Sequence, residues 1–137
     1  MTYFQILQQR IPPWEFSDTN AAELTALTHG AILADAEGSI IFANDTAIIM
    51  HGRLTMGVLP DDYSPVHGLF TEDGRPYPSI DLPLLRAALG GETILNARWR
   101  IRRPDGSSVL ATGDVMPVYK EPGLLAGAIM IFDVTII

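Results

Sequence analysis

The chain has 137 residues, 47% of them hydrophobic, a net charge of −7 and no cysteine. That length makes one domain with enough chain to bury a core, and the acidic balance argues against nucleic acid as a partner, since phosphate contacts need a basic face. Without cysteine there are no disulfides, thiolate nucleophiles, thiol-linked chromophores or cysteine-based zinc sites.

Residues 1–11 place Tyr3, Phe4, Leu7 and Ile11 at helical spacing, and Pro12-Pro13 ends the stripe. Asn20 and Glu23 fit a capping box opening a second short helix that runs to about Thr28. Residues 1–28 therefore read as a helical extension that either packs on the open sheet face or pairs with a copy of itself, the dimer contact being favoured, and residues 29–137 as the main domain.

Gly30–Asp35 and Ser39–Ala43 are short apolar strands around the turn Ala36-Glu37-Gly38. Asn44 is a preferred helix cap, and the helix behind it stops at Gly52. Residues 53–80 are rich in proline and predict short helical turns and loops. A helix follows over 82–89, with Asp81 as its cap, Pro83 in its first turn and Gly90-Gly91 as its stop.

The last third carries three strands separated by the turns Pro104-Asp105-Gly106 and Glu121-Pro122-Gly123. The first of them alternates strictly, with Ala97, Trp99 and Ile101 on one side and Arg98, Arg100 and Arg102 on the other. With Arg103 these arginines form the only basic cluster; they read either as a solvated strand face or as a docking patch for an acidic partner. The fold class is α+β: a five-stranded antiparallel sheet of order 2-1-5-4-3, short helices on one face, and the N-terminal helical extension.

From about His29 to Thr135 the chain resembles a PAS domain with its C-terminal PAC segment. The matching motifs are Gly30–Asp35, Gly38–Asn44, Asp73–Pro78 with Asp81–Leu84 and Gly91-Glu92, then Arg103–Ser107, Met116–Val118, and Gly127 through Thr135. The stretch from Phe70 to Gly91 looks like PAS modules of bacterial sensor histidine kinases, proteins of two-component systems. The resemblance implies a non-catalytic sensory module in signal transduction, and the absence of cysteine fits a reducing, cytoplasmic location. Such a module binds a small molecule or forms a homodimer, and relays a conformational signal to an output domain through a helix after the Asp-x-Thr end. The chain is expected to be a segment of a longer protein or a stand-alone domain. One residue fewer than usual separates Gly127 from Asp133, and one residue flips a strand position to the other face, so Asp133 is expected to miss this aspartate's usual contacts.

The cofactor is left unknown, with exclusions. Flavin-cysteine photochemistry and thioester-linked chromophores need a cysteine. Haem is disfavoured, because the helix over 82–89 carries no histidine; His67 reads as a surface residue. No metal site and no catalytic residues stand out, and Ser64, His67 and Asp73 do not form a recognisable triad. No run reaches the ~20 apolar residues of a membrane span.

Alternation and helix facing nominate Met50, Leu59, Tyr63, Leu69, Phe70, Leu85, Trp99, Ile101, Val115 and Met130 as ligand-pocket residues, with Asn44, Tyr63 and Asp114 as polar anchors and Gly113 leaving room for a ligand. Two rival readings stand beside the sensor: a protein-interaction module of the same fold with a filled core, and a small α+β enzyme using buried carboxylates such as Asp114.

Overall fold

The computed structural model describes residues 27–137. The helices expected in residues 1–26 lie outside the described residues. The chain runs β1 (Gly30–Asp35), β2 (Ile40–Ala43), α1 (Asp45–His51), a 3-10 turn (Pro60–Asp62), α2 (Tyr63–His67), β3 (Leu69–Phe70), a second 3-10 turn (Ser79–Asp81), α3 (Pro83–Gly90), β4 (Ile94–Arg102), β5 (Ser108–Glu121) and β6 (Leu124–Ile136). All strands pair antiparallel in the order β2-β1-β6-β5-β4-β3.

The expected five strands are present in the expected order, and a sixth is added at the edge. β3 pairs Leu69 with Ile101 and Phe70 with Arg100. Two residues are too short to show a period, so the loop reading of this stretch hid it. A second correction concerns α3. Its N-cap is Leu82, with no side-chain cap bond, and Asp81 belongs to the preceding 3-10 turn. Pro83 holds the residue before it in an extended conformation, which fixes the helix start one residue later than a capping aspartate would. Pro117 is accommodated in β5 beyond Val115, the last residue paired with β4, where the strand no longer has that neighbour.

Both faces of the sheet bury apolar side chains. The helix side buries Ile32, Ile101, Val109, Val115 and Phe132 under the helices, with Leu85 of α3 packed onto them; the opposite side buries Ala31, Leu33, Ile129 and Ile131 with Leu27. Asn44 ties the first strands to the helices. Its Oδ1 accepts from Ala47 N at 2.9 Å, capping α1, and from Ala31 N at 3.0 Å, while its Nδ2 donates to the His29 carbonyl at 2.9 Å. Asp133, near the end of β6, reaches a partner: its two oxygens lie 2.8 and 2.9 Å from His29 Nδ1, just before β1.

Phe132 sits at the middle of the sheet and is flanked in register by two glycines, Gly30 on β1 and Gly113 on β5. A Cβ at Gly30 would stand 2.8 Å from the Phe132 ring, and one at Gly113 would stand 2.6 Å from Phe132 Cβ and 2.5 Å from the Ile131 carbonyl oxygen. The room expected beside Gly113 is therefore taken by β6 itself. In an open strand position Gly→Ala stabilises by ~0.5 kcal/mol. Gly113→Ala is expected to do the reverse and destabilise by about 2 kcal/mol, measured by urea denaturation.

Candidate functional site

The site nominated by the sequence is the space between the sheet and the short helices. Tyr63, Leu69, Leu85, Trp99, Ile101, Val115 and Met130 come together there in one buried cluster, with Met50 packed against it. Three nominated residues lie elsewhere, and Asn44 is committed to structure. Leu59 is 67% exposed, in the extended residue before a 3-10 turn. Phe70 pairs with Arg100 rather than with Ile101, so it points away from the helices and lies under the Arg102 guanidinium, 4.8 Å from its ring centroid. Asp114 pairs with Ile131, on the face opposite Val115 and Met130. It is 7% exposed and accepts a 2.8 Å hydrogen bond from Asn96 N. Asn96 is in the left-handed region at φ 56°, inside the bulge between Ile94 and Ala97. The carboxylate thus anchors a strand irregularity, and it does not join the apolar cluster.

Two histidines belong to the cluster, contrary to the surface position expected for His67. His51 and His67 are both buried, at 2% and 3% exposed. Each closes a short helix, stands before a glycine in the left-handed conformation, and places Nδ1 against a carbonyl four residues back: Ala47 at 3.1 Å and Tyr63 at 2.9 Å. The His67 Nε2 accepts from Thr55 N at 3.1 Å, so both ring nitrogens are used and the ring is neutral. The repeated His-Gly pair at 51–52 and 67–68 was the available signal for these burials.

The rings form a continuous path. Trp99 on β4 meets Phe132 on β6 at 5.7 Å between centroids; Phe132 meets the edge of His51 at 5.3 Å; His51 and His67 are 6.4 Å apart; His67 and Tyr63 are 4.6 Å apart. Tyr63 and Trp99, the ends of the path, both border the gap that remains between helices and sheet, together with His51, Leu69, Leu82, Pro83, Leu84 and Met130. That gap has a volume of about 10 Å³, at the limit for a single water.

Burial sets the protonation of these groups. Desolvation pushes the Tyr63 hydroxyl up and lowers both histidines, His51 to about 4. The Ala47 carbonyl opposes the shift at His51; the charge of Arg103 adds to it. Catalytic pairing is absent from the sequence-adjacent polar residues. The Ser64 hydroxyl donates to the Leu69 carbonyl at 3.1 Å, and His67 Nε2 is held by Thr55. Among the described residues, no group of three or more His, Asp or Glu side chains is placed to hold a metal ion, and no helix is long and apolar enough to cross a membrane.

No protein-family model matches the sequence, and no curated protein does. Solved structures do match. A LOV protein of Rhodobacter sphaeroides superimposes with a TM-score of 0.61 at 14% identity, over 83% of this chain and 64% of its own, so this chain spans less than two thirds of that relative. The PAS domain of a Colwellia psychrerythraea protein aligns at TM-score 0.55 and 17% identity, over 96% of this chain and 98% of its own. The light-state dimer of the fungal blue-light photoreceptor Vivid aligns at TM-score 0.59 and 16% identity, over 95% and 89%. The fold of this chain is the PAS fold.

Because the folded-state pKa of His51 lies below the ordinary 6.5, the unfolded chain binds the extra proton between the two values. Stability from this residue is complete above pH 6.5 and falls as pH drops toward about 4. The loss amounts to about 3 kcal/mol. Urea denaturation at pH 7 and pH 4.5 is expected to show a smaller drop in His51→Asn, which keeps a donor for Ala47, than in the native sequence.

Proposed function

From the PAS fold we propose a non-catalytic sensory module of a signal-transduction protein, one whose interior is filled by its own side chains. Its signal then rests on association with itself or with a neighbouring domain and on the arrangement of helices over the sheet. The observation that carries this reading is the gap of about 10 Å³ where the fold would hold a ligand. Small-molecule sites run from roughly 300 to 1,000 Å³. A flavin or haem does not fit between these side chains as they are packed, and no step is assigned to either.

Ligand binding in the cleft would require Tyr63, Trp99 and Met130 to part. A ligand shifts such an equilibrium only by the difference in its affinity for the two forms. Its apparent affinity falls by the fraction of molecules already open. Relay to an output domain belongs to the same proposal: β6 is central in the sheet and ends at Ile136, so a change in helix packing reaches the C-terminal strand through Met130 and Phe132.

Native mass spectrometry and an absorption spectrum of the purified protein test the filled interior. The expected result is the mass of the bare chain or its multiples, with only aromatic absorbance; a stoichiometric retained chromophore would overturn it. Trp99→Ala gives an independent measure. If the indole fills space, its removal costs about 3–5 kcal/mol by thermal or chemical denaturation. If it merely borders an open pocket, the loss is nearer 1 kcal/mol.

A further inference from the structure

A groove of about 310 Å³ lies on the other side of His51, between the ends of α1 and α2 and the turn joining β4 to β5. Its lining includes Arg53, Arg102 and Arg103 and contains no carboxylate. We propose that this groove binds a small oxyanion, the phosphate or carboxylate group of a small molecule. The site goes beyond the filled interior and does not depend on it.

Arg53, Arg102 and Arg103 differ from the ion-paired arginines. Arg75 pairs with Asp73 at 3.0 Å, Arg86 with Glu92 at 2.9 Å and Arg98 with Glu72 at 2.7 Å. Among the described residues, no carboxylate lies within ion-pair distance of Arg53, Arg102 or Arg103. Asp105 feels the charge of Arg103, but its oxygen accepts from Ser107 N at 2.9 Å and Ser107 Oγ at 2.6 Å.

Neutral groups hold these guanidiniums instead. Arg53 Nη2 donates to the Val66 carbonyl at 2.8 Å, Arg103 Nε to the Met50 carbonyl at 2.9 Å, and Arg102 lies over Phe70. Arginine near a helix C-terminus is favourable in its own right, which accounts for Arg53 and Arg103. It does not account for Arg102, nor for the convergence of all three charges on one concave surface of a chain whose net charge is −7. A guanidinium carries five N–H donors in a fixed fork. One is spent at Arg53 and one at Arg103, and the rest remain for a planar or tetrahedral oxyanion, the partner that such forks bind in bidentate fashion.

The groove also reports inward. Arg53 bears electrostatically on His67, and Arg103 on His51. His51 lines both the groove and the interior gap. An anion that neutralises the arginines is therefore sensed by a side chain packed edge-on against Phe132.

The test is a titration of the full chain with inorganic phosphate and, separately, with succinate, at constant pH and with chloride balancing ionic strength. Histidine side-chain NMR signals are the readout. Saturable shifts at His51 and His67 are expected with at least one of the two anions. Phosphate alone identifies a phosphoester ligand, succinate alone a carboxylate, and either outcome supports the site. Arg53→Gln and Arg102→Gln, both exposed in the native protein, should each weaken binding about tenfold or more. Arg75→Gln, outside the groove, should leave it unchanged. No saturable shift with either anion, or the same affinity in Arg53→Gln as in Arg75→Gln, would overturn the proposal. A retained chromophore in the interior would leave this result untouched, so the two readings fail separately.

Discussion

The helix side of this domain depends on the seating of Phe132 between two glycines. β6 is the strand through which β1 and β5 meet, and only residues without a side chain on both neighbours let a phenyl ring lie at that level of the sheet. From there the ring contacts spread outward, to Trp99 on one side and to His51, His67 and Tyr63 on the other. Small helices that could not hold together alone are fixed by this aromatic path and by the triple hydrogen bonding of Asn44. The closed interior follows from it.

Under the sensory reading proposed above, that arrangement changes where a signal can arise. Here the polar features nearest the core lie at its rim, where two buried neutral histidines separate an apolar gap from an arginine-lined groove. The basic cluster seen in the sequence divides in the fold. Arg98 is paired with Glu72. Arg102 and Arg103 join Arg53, which comes from a different part of the chain, at the groove.

The strands were legible because their burial alternates or runs apolar between strong turn signals. Pro104-Asp105-Gly106 and Glu121-Pro122-Gly123 bracket β5 as expected, and the buried set Ala97, Trp99, Ile101 follows the alternation. Asn44 and Gly52 bound α1 as their types suggest. What stayed hidden depends on pairing across long sequence distances. β3 gains its identity only from Ile101 and Arg100. The facing of Phe70 and Asp114 is set by register, which a single strand cannot reveal. Gly113 looks like open space until Phe132 is placed beside it, and His67 looks exposed until Thr55 and Tyr63 are seen to occupy its nitrogens. The seven nominated residues that cluster were chosen by their alternation and helix facing, which could not say that they close on one another.

The most direct measurement of that closure is the set of nuclear Overhauser contacts across the gap in the protein without added ligand. Cross-peaks from the Met130 methyl to both the Trp99 indole and the Tyr63 ring are the expected result, since all three border a space of about 10 Å³. Contacts from Met130 to water or to an unassigned small molecule, in place of those to the two rings, would contradict a filled interior.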